Sequence, residues 1–238
     1  MTNVMSRGFR PSGALLTDVI APKAEAADNG IGQQEEEPVH KAIEVLMGEH
    51  RLIEEALGSL ETYAGQVREG APALREVVGE YAAFFREFAD ACHHGKEEDI
   101  LFQRMIERGF PREAGPIAVM YHEHELGRAH VRALTAIGTG AGEAGSEGSR
   151  VLLEHADAYV PLLRQHIQKE DRILYPMALQ SLTRSELDAM NGEFEVFEAR
   201  MHADGSYDRL RGLAERLAAR FHPDPARMAA AQLVHCGR

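Results

Sequence analysis

Only two cysteines, Cys92 and Cys236, occur among 238 residues, and neither belongs to a CxxC pair. That excludes a disulfide framework or a cysteine zinc finger and suits a reducing cytoplasm. Basic charge is also scarce: 26 Lys and Arg stand against 38 Asp and Glu, a formal charge of −12. Such a surface argues against nonspecific binding to nucleic acid or to an anionic membrane, both of which require positive charge. No apolar run approaches the ~18 residues that would signal a membrane span. The stretch after Arg7 and Arg10 is broken by Pro11, Asp18 and Pro22, unlike a secretory signal. A cytoplasmic protein is the expectation, and 44% apolar residues suffice for a sizeable core.

Residues 1–37 mix Pro, Gly, Ala and acids without a sustained period, which predicts a flexible arm with at most a short docked segment near residues 15–20. From residue 38 to 182 the period is helical, and residues 183–238 read as a C-terminal helical extension. In the first helix, from Val39 to about Val67, Ile43, Leu46, Met47, Ile53 and Leu57 share a face with His50. Gly70 and Pro72 break the chain before a second helix, from about Ala73 to Arg108, which Gly109 and Pro111 stop. A third helix begins near Pro116 and carries Ile117, Met120, Tyr121, His124 and Val131 on one side. After a glycine-rich loop, a fourth runs from about Arg150 to Leu182, with Leu152, Tyr159, Leu162, Leu163, Ile173, Leu174 and Met177 on the face of His166. Pro161 predicts a kink in it. Helices at about 185–201 and 207–221 follow, the first opened by Ser185-Glu-Leu-Asp.

Two segments repeat. His93-His-Gly-Lys-Glu-Glu-Asp-Ile-Leu101 and His166-Ile-Gln-Lys-Glu-Asp-Arg-Ile-Leu174 lie 73 residues apart, and His50 and His124, each preceded by Glu, lie 74 apart. Two landmarks with nearly one offset point to a duplicated helical hairpin. Two hairpins on a pseudo-twofold axis make an all-α, antiparallel four-helix bundle whose facing helices build a site in the core. A His and a Glu four residues apart project about 40° apart and about one turn (~6 Å) along one helix face, suitable for two ligands to one metal centre. Each hairpin then supplies three candidate ligands: His50, His93 and Glu97 from the first, His124, His166 and Glu170 from the second. The register prefers His93 to His94 and His124 to His122, which remain the alternatives.

With these residues assembled, the chain resembles the hemerythrin-like, His-His-Glu cation-binding superfamily. The likeness covers roughly residues 39–180 and rests on Glu49-His50-Arg51, His93-His94-Gly95-Lys96-Glu97-Glu98 with Leu101-Phe102, Glu123-His124-Glu125, and His166 to Asp171 with Leu174-Tyr175-Pro176. The resemblance implies a non-heme centre of two iron ions, bridged by Glu97 and Glu170, that meets oxygen, nitric oxide or peroxide at open positions near Met120 and Tyr121. Oxygen carriers of the family have a further His where this chain has Met120, and an Asp five residues after the position of His166 rather than Glu170 at four. The set of four His and two Glu looks more like the bacterial iron-sulfur-cluster repair and nitric-oxide-response branch, whose N-terminal cysteine-bearing domain is absent here.

Imidazole and carboxylate together also suit manganese or zinc. A redox partner protein is expected for a turnover enzyme, whereas a noncatalytic sensor or an iron storage and delivery module would signal through a terminal segment. Around the ligands, Tyr121 either presents its hydroxyl to the site or packs. Glu54 and Arg128, at equivalent repeat positions, either pair across the bundle to orient the histidines or form solvated salt bridges. Glu98, Asp99 and Asp171 read as solvated faces, His155 as a core histidine or one behind the ligands. His40, His130, His202, His222 and His235 read as surface residues, and Cys92, next to His93, as a helix residue, with contact to the site as the alternative.

Overall fold

The computed structural model describes residues 39–203 and 205–233; the expected arm at 1–37, its docked segment and His235 lie outside the described residues. Among those described are seven helices and no strand. We label them α1 (Lys41–Arg68), α2 (residues 75–107), α3 (Gly115–Ile137), α4 (residues 145–181), α5 (Arg184–Ala203), α6 (Ser206–Arg220) and α7 (Pro225–Leu233). Helices α1 to α4 form the antiparallel four-helix bundle, and α5 and α6 pack on α1 and α2. No helix among the described residues is long and apolar enough to cross a membrane.

The ends follow local chemistry. The His40 ring accepts from the amide of Ala42 to cap α1, and its other nitrogen meets Asp188 of α5 at 3.0 Å, so His40 is a cap and a tie rather than a surface residue. Pro116 sits in the first turn of α3, where its missing N–H costs nothing. Helix α5 starts earlier than Ser185: Thr183 and Glu186 cap each other reciprocally, the Thr183 amide donating to Glu186 at 2.8 Å. Helix α4 also begins earlier than expected, at Gly145, and stays helical through Pro161. The α1–α2 and α3–α4 turns meet at one end of the bundle, where Arg75 donates its amide to Gly142 at 2.9 Å and Ala144 to Ala73 at 2.7 Å. There Gly138 lies so close to Gly79 that a Cβ on it would fall 2.5 Å from the Gly79 Cα.

Two apolar clusters fill the interior. One, toward that end, includes Leu57, Leu60, Tyr81, Phe85, Leu152 and Tyr159; the other includes Ile43, Leu46, Phe102, Met120, Leu174 and Phe194. A polar layer lies between them. Around that layer α2 and α4 widen into π turns, at Phe85–His94, Glu97–Leu101 and Glu170–Leu174. A π turn holds an extra residue, so the faces beyond it rotate relative to a straight α-helix. This displaces Ile173: placed on the core face by a strict helical period, it is 52% exposed. Its repeat partner Ile100 is 8% exposed because α5 packs on that segment.

Candidate metal centre

Seven side chains converge in the polar layer: His50 from α1, His93, His94 and Glu97 from α2, His124 from α3, His166 and Glu170 from α4, none more than 4% exposed. Their ligand atoms form two groups, His94, Glu97, His124, His166 and His50, His93, Glu97, Glu170, each with its atoms within 4.8 Å of one another. Glu97 is common to both. Its Oε2 lies 3.6 Å from His124 Nε2 and 3.7 Å from His93 Nε2. Glu170 also straddles them, with Oε1 3.1 Å from His166 Nε2 and Oε2 3.2 Å from His50 Nε2.

A carboxylate stands behind every imidazole. Nδ1 of His50 meets Asp171 at 2.7 Å, His93 meets Glu49 at 2.8 Å, His94 meets Asp90 at 3.3 Å, His124 meets Glu98 at 2.6 Å and His166 meets Glu123 at 3.0 Å. With Nδ1–H donated outward, Nε2 of each ring faces inward, and once His166 sheds its second proton all five rings have the tautomer a cation requires. The pattern follows the repeat: Glu49 and Glu123 hold the His of the other helix in their own hairpin, while Glu98 and Asp171 reach the His of the opposite hairpin. Lys96 and Lys169 in turn hold Glu49 and Glu123, and Arg128 and Arg51 hold Glu98 and Asp171. Glu98 and Asp171, expected on solvated faces, therefore belong to the site; Asp99 is exposed as expected.

The two halves differ in cover. Lys96 is fully buried, donating at 2.5 Å to Glu49 and at 2.5 Å to Glu198 of α5, whereas the Lys169 side chain is 34% exposed. A Cβ on Gly95 would meet the Phe197 ring at 2.9 Å, so α5 lies tightly against this turn.

Four buried atoms of the layer have no hydrogen-bond partner: His93 Nε2, Glu97 Oε2 and both carboxyl oxygens of Glu170. Leaving buried polar atoms without hydrogen bonds is costly, and a cation would satisfy all four. The electrostatics agree. Burial and the charge of Glu170 push the Glu97 carboxyl well above the usual carboxylate range. Burial also opposes the charge of Glu170, but His166 and His50 outweigh it and hold that carboxyl well below its usual range. Burial disfavours a charged His166 too, yet Glu170 and Glu123 raise it to about 9. Burial and neighbouring imidazoles depress His93 and His124, keeping them neutral and available as ligands.

The six ligands proposed from the sequence are all brought together here. His94 joins them beside His93 rather than in its place, because the π turns around it bring consecutive side chains inward. Its repeat partner is Ile167, so repeat matching gave no signal for it; the sign was the adjacent His-His pair itself. Tyr175 was also missed as a polar group. Its buried hydroxyl donates to Glu97 Oε1 at 2.8 Å and lies 3.3 Å from His50 Nε2. Tyr121 instead turns its hydroxyl to the Glu98 carbonyl at 3.3 Å and receives Gln103, while Met120 packs in the apolar cluster. Glu54 and Arg128 do not pair with each other: Glu54 meets Arg51 at 3.3 Å, and Arg128 meets Asp90 and Glu98, the acceptors behind His94 and His124. His122 is exposed. His155 and His130 share a 3.0 Å contact outside both groups, so His130 is half-buried rather than a surface residue. His202 and His222 are exposed. Cys92 is buried outside both groups, its thiol pushed by burial up to about 12.

A search of curated proteins and of solved structures gave no match. A family model described as the hemerythrin HHE cation binding domain matches residues 41–178, which contain all seven converging side chains.

Proposed function

Since this chain belongs to the hemerythrin HHE cation-binding family, we propose that its polar layer holds two iron ions and that the protein binds or reduces a small oxidant: oxygen, nitric oxide or peroxide. The observation that carries the reading is the pair of four-residue groups sharing Glu97, with Glu170 reaching both. Glu97 and Glu170 with the five imidazoles would hold the two ions and would leave room for a small ligand. An imidazole and carboxylate set without thiolate suits iron, with manganese and zinc as the competitors.

Bound iron would supply the redox change. The chain supplies the rest: carboxylates at Nδ1 fix the imidazole tautomers, Glu97 and Glu170 offset the charge of two cations, and the flanking apolar clusters keep bulk water out. The iron-sulfur-cluster repair and nitric-oxide-response branch remains a narrower version of this reading, but its likeness rests on a four-histidine set that His94 enlarges.

A noncatalytic sensor is the second reading, favoured by the link from α5 through Glu198, Lys96 and Glu49 to His93. Anaerobic reduction of iron-loaded protein, followed by titration with oxygen, peroxide and nitric oxide, separates the two. Sustained turnover with a reductant supports the enzyme. Stable stoichiometric binding with altered protection of α5 in hydrogen exchange supports the sensor, and inertness to all three ligands contradicts both.

A further inference from the structure

The seven converging donors are unevenly shared. One group has three imidazoles, His94, His124 and His166; the other has only His50 and His93 beside the two carboxylates. The repeat explains the imbalance and shows what compensates for it. His94 has Ile167 as its counterpart, so the second hairpin lacks that imidazole. Phe102 has Tyr175 as its counterpart, so the second hairpin gains a phenol. The two rings hold equivalent places: Phe102 stacks on His124 at 5.9 Å and 19°, Tyr175 on His50 at 5.5 Å and 7°. Phe102 presents no donor to the group already holding three imidazoles, while Tyr175 presents its oxygen to the group holding two.

The distances match those between neighbouring ligands of one ion. Donors about 2.1 Å from a common cation and at right angles lie about 3 Å apart. Tyr175 Oη is 2.8 Å from Glu97 Oε1 and 3.3 Å from His50 Nε2, and Glu170 Oε2 is 3.2 Å from the same nitrogen. The tyrosine is 1% exposed and its hydroxyl is aimed into the layer that holds the four orphaned atoms.

We propose that Tyr175 is a direct ligand of the metal ion bound by His50 and His93, so that one ion has three imidazoles and the other two imidazoles and a phenolate. The Oη–H bond breaks and an oxygen–metal bond forms as the cation binds; the proton leaves to solvent and no electron moves. A cation makes a bound oxygen acid a far better proton donor, which compensates for the dry surroundings. The two ions then differ in hardness and potential, giving a site with distinct halves from a nearly symmetric fold. This rests on the two-iron reading of the preceding section.

Ferric phenolate absorbs visible light, and excitation into that band enhances phenolate ring vibrations, so the test reads the bond rather than activity. Full-length protein loaded with iron and oxidised is assayed for iron per chain, then by absorption and resonance Raman spectroscopy. The expected result is two irons with a phenolate band, and its loss in Tyr175→Phe, which keeps the ring that stacks on His50. The same variant should release one of its two irons to a chelator at least about tenfold faster. Two irons and no phenolate vibrations in the unaltered protein would overturn the assignment while leaving the two-iron reading intact, Tyr175 then being only a hydrogen-bond donor to Glu97. A band that survives in Tyr175→Phe would also overturn it. Protein that takes up no iron at all overturns both readings together.

Discussion

Replacing Lys96 with Met tests how much the cover by α5 matters, because Lys169 offers the same substitution at the equivalent place without that cover. Lys96 is fully buried and lies 2.5 Å from each of Glu49 and Glu198. Breaking a buried ion pair by removing one partner costs about 3–5 kcal/mol, because the other charge stays buried. The low end applies here. The Glu198 side chain is 20% exposed and can rehydrate, and burial already raises Glu49, so it can take up a proton instead of remaining charged. A cost of about 3 kcal/mol corresponds to roughly 6–12 °C in a chain of this size. The Lys169 side chain is 34% exposed, and loss of its pair with Glu123 belongs to the ~0–1 kcal/mol range of solvent-screened pairs. Thermal unfolding of Lys96→Met and Lys169→Met, metal-free and at one pH, followed by circular dichroism, gives the comparison. Equal losses at the two positions would refute the claim that α5 makes one half of the site a buried charge network.

Other outcomes follow from the same geometry. His94→Ala should leave two ions bound but weaken one by at least about tenfold, making chelator competition biphasic; unchanged affinity for both would remove His94 from the ligand set. Metal affinity should rise with pH, because His166 in the metal-free protein keeps its proton up to about 9 and a cation must displace it. That group alone contributes roughly a tenfold gain per pH unit below that value and nothing above it, so zinc affinity that is flat between about pH 6.5 and 8.5 would contradict the linkage. Gly138→Ala places a Cβ against the Gly79 backbone, and overpacking of this kind costs about 1–3 kcal/mol. Urea unfolding should show the loss at the turn end of the bundle, with metal content unchanged.

The bundle was legible in the sequence because its turns carry Gly and Pro and its hairpins repeat at nearly one offset. The convergence of the six candidate ligands was legible for the same reason, since His-x-x-x-Glu recurring in one hydrophobic frame fixes a face. What escaped lies where the repeat or the straight helix fails. His94 has no counterpart, and the π turns that bring it inward leave no mark in a 3.6-residue period; they also turned Ile173 outward. Glu98 and Asp171 follow ligands on the polar side of a helical wheel, so they read as solvated, although each reaches across to a histidine of the other hairpin. Tyr175 entered as part of the Leu174-Tyr175-Pro176 resemblance, and its hydroxyl gains meaning only from its distance to Glu97. The burial of Lys96 depends on α5, a helix outside the duplicated unit.

Two metal ions per chain bound by these side chains would show in elemental analysis. Protein made in iron-replete medium and purified without a metal-affinity step should contain about two irons per chain, falling by at least half in Glu97→Ala, which removes the carboxylate common to both groups. Near-zero metal that reconstitution with iron, manganese or zinc does not raise would contradict the account, and the polar layer would then be a hydrogen-bonded core rather than a metal centre.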